Sequence, residues 1–358
     1  MTSQTMKPRS VAFILPPPNH GTLDRPSWRS VSIRVRCTEI AQWLGRYGTQ
    51  VHLLIDETVP PRLTDGSLDD IELFVVLQTL TDHTALVDAL LAAGKCVVTD
   101  VCDDVSRYEG LLSKTWANAR RAAGITVPTR WLADLLGPQT DRPIHIVHDA
   151  VEGPPRQIRG PTPDGPLRLF WYGWQHKVGV IQRRLDRLRA YAHATRPVEL
   201  TVMSDLYGIR DEMAGVLASG DGRLTIRGEH WSLDGFDTEM ERTDIALIPF
   251  DTKIDFSGRS PLKLMQALWQ GRLAISEDLE SYPDFAPFGV LHLDIVDGIE
   301  QMTADPQRAL ADLSRAQVYI HDTYMPSVLA HRWQEVLGEI LAGFQSRPPR
   351  RKPDGGSA

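Results

Sequence analysis

This chain is short of cysteine, of positive charge and of long apolar runs. Its three cysteines, Cys37, Cys96 and Cys102, form an odd set at no metal-ligand spacing. Such a set argues against a disulfide-stapled fold and fits a reducing cytosol. Cys96 and Cys102 read as buried thiols, the usual fate of free cysteine. With 39 Lys and Arg against 46 Asp and Glu, the formal net charge is −7. No global basic field is present to attract nucleic acid, so an anionic ligand would need a local cluster of cations. No stretch approaches the roughly 18–20 apolar residues of a membrane-spanning helix. The apolar run Val11–Leu15 is too short for a signal-peptide core and leads straight into prolines. A cytoplasmic location is expected, with peripheral membrane contact left open.

What is present is an ordinary globular composition, 42% hydrophobic and 24% charged over 358 residues. That length suits about two domains of roughly 100–200 residues each. The first half alternates strand and helix signals. Strands are expected at Val11–Leu15, Val51–Ile55, Ile71–Leu77, Lys95–Val101, Gly124–Val127 and Ile144–Val147. Helices are expected over Val35–Tyr47, Thr84–Ala93 and the segment TRWLADLL. A segment dense in Pro and Gly, VEGPPRQIRGPTPDGP, then breaks the pattern. After it the alternation restarts with strands at Leu167–Tyr172, Val198–Met203, Leu224–Arg227, Ile245–Phe250 and Leu273–Ser276. Helices are expected between them over Val180–Ala194 and Tyr207–Leu217, and a last one near Ser327–Ala342.

Strands alternating with helices predict βαβ units and parallel sheets. The expected fold class is therefore α/β, with two Rossmann-like αβα domains facing a central cleft. Residues 1–150 form the first domain, 151–166 a linker and 167–326 the second. Residues 327–345 are a terminal helix that could cross back to the first domain. Residues 346–358 carry four basic residues and no core formers, and are expected to be disordered.

One stretch breaks a local rule. "FSGRSPLKLMQALWQG" predicts a helix with Ser260 as N-cap, Pro261 at the first helical position and Gly271 as the stop. Leu262, Leu264, Ala267 and Leu268 would form its buried face. Lys253, Arg259 and Lys263 bring three cations to its start, where the helix dipole favours anions. Cations there are unfavourable for the helix but suit a phosphate held by first-turn amides.

The segment "DIALIPFDTKIDFSGRSPLKLMQALWQGRLAISEDLESY" resembles the donor-binding region of GT-B glycosyltransferases, in particular bacterial cell-surface enzymes of the family 1 and family 4 type. "VVTDVCDDVSRYEG", "ITVPTRWLADLL", "IHIVHDAVE" and "LRLFWYGWQHK" resemble other parts of the same fold, in the same order. The resemblance covers nearly the whole chain. It implies a metal-independent transfer of a sugar from a nucleoside-diphosphate sugar to a glycan, lipid-linked or protein acceptor, with no cofactor besides the donor. It departs from the retaining members related to glycogen synthase, whose E-x7-E pair becomes Gly258 and Gln266 here. The arginine that often follows the first turn of the donor domain is Trp174.

The resemblance and the residues together nominate a site. Gly173, Lys177, Lys253, Arg259, Ser260, Pro261 and Lys263 are expected at the phosphates. Trp231 is expected against the nucleobase and Gln266 at the ribose. Asp103 and Asp104, at a strand end, are candidate catalytic carboxylates. His20 is the candidate base, by likeness to plant-type inverting enzymes that pair a histidine with an aspartate. Two other readings stay open on the same fold, a sugar-nucleotide epimerase and a non-catalytic scaffold that binds a glycan or partner enzyme.

Overall fold

The structure is a computed structural model and describes residues 7–17, 30–78, 82–103, 109–205, 210–250, 258–277 and 279–346. The chain divides into two compact units. One comprises Met1–Ala150, Gly258–Ser260 and Pro326–Ala358; the other comprises Val151–Ser257 and Pro261–Met325.

In the first unit the strands are β1 (Ser10–Leu15), β2 (Gln50–Ile55), β3 (Leu73–Gln78), β4 (Cys96–Val101), β5 (Gly124–Val127) and β6 (Ile144–Ile146). They form one parallel sheet in the order β2-β1-β3-β4-β5-β6. Its helices are α1 (Val31–Ile33), α2 (Glu39–Arg46), α3 (Val59–Thr64), α4 (Thr84–Ala92), α5 (Glu109–Arg121) and α6 (Arg130–Leu136). A π-helical turn, Arg34–Thr38, joins α1 to α2. β1, β3 and β4 are buried at every position, as strands covered on both faces must be.

In the second unit the strands are β7 (Leu167–Tyr172), β8 (Val198–Ser204), β9 (Leu224–His230), β10 (Ile245–Ile248), β11 (Leu273–Glu277) and β12 (Leu291–His292). They too form one parallel sheet, ordered β12-β11-β10-β7-β8-β9. Its helices are α7 (Val178–Gln182), α8 (Leu185–Ala194), α9 (Arg210–Ala218), α10 (Leu233–Arg242), α11 (Leu262–Trp269), α12 (Ile295–Ala304) and α13 (Pro306–Tyr324). The last helix, α14 (Pro326–Gln345), packs on α2 and β4 of the first unit. Among the described residues no helix is long and apolar enough to cross a membrane.

The strand order fixes where a ligand would sit in the second unit. From β7 the chain adds β8 and β9 on one side, then returns to add β10, β11 and β12 on the other. The reversal falls between β7 and β10. Ligands of open parallel sheets bind outside the carboxyl ends of the strands at such a reversal. Here those ends lead into Gly173 and toward α11.

The Pro- and Gly-rich segment expected as a linker lies along α11 in the second unit. Val151 N donates to Tyr324 O, Trp269 Nε1 to Gly153 O at 2.8 Å, and Arg156 N to Trp269 O. Arg272 Nη1 donates to Gln157 O, and Gln317 Nε2 reaches the Arg156, Leu268 and Trp269 carbonyls. This strap is why Leu264 to Trp269 are all buried, where an amphipathic helix with one wet face was expected. Gly271 ends α11 with φ +70°, and a Cβ there would fall 2.3 Å from Gln157 O. Both the backbone angle and the strap therefore require glycine.

Candidate functional site

The strand ends of the second unit are stitched together by short bonds. Gly173 N donates to Met203 O at 3.1 Å, Ser204 Oγ to Gly173 O at 2.8 Å, and Trp231 N to Ser204 O at 2.9 Å. These bonds hold the exits of β7, β8 and β9 in one row. Ser232 caps α10 behind them, accepting from Gly235 N at 3.0 Å.

Lys263 bridges the reversal point. Its Nζ donates to Tyr172 O at 2.7 Å and lies 5.0 Å from the centre of the Tyr172 ring. In return Tyr172 Oη donates to Lys263 O at 3.0 Å. Burial pushes the Tyr172 phenol well above its ordinary pKa, with a lesser push from Tyr282. Tyr172 is therefore a neutral donor that fixes the first turn of α11 and does not serve as a base. A Cβ on Gly173 would meet the Trp171 ring at 2.9 Å and Lys263 Nζ at 3.3 Å. The bare glycine lets the β7 turn, the ring and the ammonium close on one another.

The start of α11 differs from the sequence expectation. Met265 N donates to Pro261 O, so Pro261 is the N-cap and Leu262 the first helical residue. Ser260 stands one place further out, because Pro261 has a non-helical ψ of 18°. Pro261 itself makes no side-chain cap bond. The first-turn amides of a helix have no partner within it, and Lys263 stands in this first turn.

Other nominated residues are placed less directly. Lys177 is buried at the end of a tight turn, Gln175–Lys177, with its N–H bonded to Trp174 O. Trp231 is half-buried and packs on the core of the second unit. Arg259 and Ser260 are half-buried and group with the first unit. Lys253, Asp104 and His20 lie outside the described residues. Asp103 is exposed just beyond β4.

Gln266 does not present a free amide for a ribose. It is buried; its Oε1 accepts from Glu152 N and its Nε2 donates to Glu152 O, both at 3.1 Å. The amide clamps the strap to α11 because the strap covers that face of the helix. The other motif position is closed by packing within the first unit. A Cβ on Gly258 would lie 2.3 Å from Trp131 Cε3, and Gly258 O accepts from Thr129 Oγ1 at 3.1 Å. No glutamate fits there while Trp131 keeps its place.

The sequence reading missed a buried ionic cluster in the first unit. Arg36, fully buried in the π-helical turn, donates through Nε and Nη2 to the two Asp100 oxygens at 2.8 and 2.6 Å. Its Nη1 donates to Asp149 Oδ1 at 2.7 Å and to Val147 O at 2.8 Å. Thr126 Oγ1 adds a bond to Asp100, and the guanidinium lies 5.6 Å from the Trp333 ring centre. Burial disfavours the arginine's charge, yet the two aspartates outweigh it and hold its pKa above the ordinary value. The available signal was an aspartate inside the apolar strand "CVVTDV" and an arginine within an apolar helix face.

The three cysteines are free and buried. Burial raises the Cys37 and Cys102 thiols well above their ordinary pKa, so neither is an activated nucleophile. Among the described residues no group of three or more His, Cys, Asp or Glu side chains is placed to hold a metal ion.

Comparison with protein-family models gives no match, and comparison with curated proteins gives none either. Solved structures do match. A glycosyltransferase from Rickettsia africae ESF-5 aligns with a TM-score of 0.63 at 10% identity, over 93% of this chain and 99% of its own. An α-glucosyltransferase in complex with UDP-glucose and DNA containing an abasic site aligns at 0.59 and 11% identity, over 92% and 99%. A Listeria monocytogenes protein assigned as a UDP-N-acetylglucosamine 2-epimerase aligns at 0.56 and 12% identity, over 95% and 98%. At such identities the likeness is one of fold. The chain has the GT-B fold, with two parallel sheets flanked by helices.

Proposed function

We propose that this chain is a glycosyltransferase that moves a sugar from a nucleoside-diphosphate sugar to a hydroxyl of a glycan, lipid-linked or protein acceptor. The observation that carries the proposal is Lys263. It lies across the β7/β10 reversal, bonded to Tyr172 O beside Gly173, at the start of α11. This arrangement suits a diphosphate: one ammonium, a helix start and a bare glycine turn.

In the reaction, the acceptor oxygen bonds to the anomeric carbon as the bond from that carbon to the phosphate oxygen breaks. The nucleoside diphosphate departs with the electron pair. Lys263 and the first-turn amides stabilise the charge that builds up on it, usually the largest contribution to such catalysis. This role needs no metal ion, in keeping with the fold resemblance. Trp231 is assigned to the nucleobase side, on the exit of β9. The acceptor proton passes to a base, for which Asp103, Asp104 and His20 are the candidates. The filled pocket at Gly258 and the clamped amide of Gln266 argue against a mechanism built on an E-x7-E carboxylate pair.

A second reading, sugar-nucleotide epimerisation, is favoured by the likeness to the Listeria protein. Incubation with sugar nucleotide alone separates the two, since an epimerase changes the sugar without any acceptor. The test of nucleotide binding is a thermal-shift panel of UDP, GDP, CDP, ADP and dTDP. At a hundred times Kd, one of them is expected to stabilise the protein by about 2.7 kcal/mol. No shift with any of the five would refute the assignment.

A further inference from the structure

Among the described residues Trp174 is the only exposed Phe, Tyr or Trp, at 58% relative exposure. The other described tryptophans are buried or half-buried. A single exposed apolar side chain is ordinary, but a bare indole beside the proposed phosphate site calls for a reason. Its position supplies one. Trp174 directly follows Gly173, the turn that packs against Lys263 Nζ. Its backbone is extended, with φ −63° and ψ 147°, and its carbonyl accepts from Lys177 N at 2.9 Å. The ring is thus presented to solvent from a turn that is itself fixed.

We infer that Trp174 is a stacking platform for a carbohydrate ring at the sugar end of the bound diphosphate. The inference rests on the glycosyltransferase reading above and adds a residue to it. A pyranose has an apolar face of C–H groups rimmed by hydroxyls. An indole matches it with an apolar face and one N–H at the edge. A nucleobase is the less suitable occupant on geometric grounds. Trp231 follows β9, two strand spacings or about 10 Å from β7. A ribose and diphosphate running from Trp231 to Lys263 would together span that gap and leave Trp174 next to the phosphates and the sugar they carry. The ring could belong to the donor or to the acceptor; both present the same face.

The test compares wild type with Trp174→Ala and Trp174→Phe. The exposure of the side chain makes misfolding of either variant unexpected. One arm measures binding of UDP, GDP, CDP, ADP and dTDP and of the glucose ester of each. The other measures retention on an array of immobilised glycans. Trp174→Ala is expected to weaken the glucose ester that binds wild type by about five- to tenfold. The parent diphosphate should change less than twofold, and Trp174→Phe should retain most of the affinity. Loss on the array alone, with the donor arm unchanged, assigns the stacked ring to the acceptor and also upholds the inference. Equal loss for diphosphate and glucose ester would overturn it, because the ring would then serve base or phosphate. No change in either arm would overturn it as well. If wild type binds no nucleotide and no glycan, the glycosyltransferase reading falls, and this inference with it.

Discussion

Lys263→Ala is expected to lower sugar transfer by about 10²–10³-fold, the loss typical of removing one preorganised donor to a developing oxyanion. Fold and melting temperature should change little. The side chain is half-buried, and the strap-side bonds at Gln266 and Trp269 do not depend on it. The loss should fall mainly on kcat, because the charge that Lys263 meets is greatest as the glycosidic bond breaks. Lys263→Arg is expected to recover only part of the rate. The planar guanidinium cannot occupy the point contact with Tyr172 O beneath its ring as the ammonium does. Turnover of Lys263→Ala within threefold of wild type would remove this residue from the phosphate site.

The second large effect concerns stability. Arg36→Met leaves Asp100 and Asp149 buried without their common cation, and Thr126 and Val147 without the bonds that surround it. Breaking a buried ion pair by removing one partner costs about 3–5 kcal/mol. In a protein of this size that lowers the melting temperature by roughly 4–7 °C. The companion variant Arg36→Met with Asp100→Asn and Asp149→Asn should recover at least half of the loss, because it removes the unpaired charges as well. A single variant that melts within 2 °C of wild type would show that the cluster contributes nothing net. The cluster ties the π-helical turn, β4 and the segment after β6 together, so its loss should be read in stability before activity.

The two-sheet architecture was legible because parallel strands buried on both faces leave a plain mark. Runs such as "VAFIL", "LFVVL" and "LRLFWY" have no polar alternation. Helix α13 was not legible for the opposite reason. Its buried stripe is Ala309, Leu313, Ala316, Ile320 and Tyr324, and two alanines give little contrast with the polar faces around them. Helix α10 buries only Glu239 and Met240, so its pattern is weaker still.

In the candidate site, Lys263 was singled out by its misplacement against the helix dipole. Its partner, Tyr172 O, is a backbone atom on a strand 91 positions away, which no local pattern encodes. Gln266 shows the limit most clearly. Spacing alone cannot distinguish an amide that faces a ribose from one that clamps Glu152. The deciding contact comes from the strap, whose Pro and Gly composition reads as a linker and says nothing of its contacts with α11. The same holds for Gly258, whose lack of a side chain is explained by the Trp131 ring.

The most direct test of the central claim is amide hydrogen exchange with and without the nucleoside diphosphate that most stabilises the protein. The proposal places the phosphates at the amides of Leu262 to Leu264, the first turn of α11. The account predicts added protection there on nucleotide binding, lost in Lys263→Ala. Nucleotide binding that protects other segments and leaves these amides unchanged would contradict it.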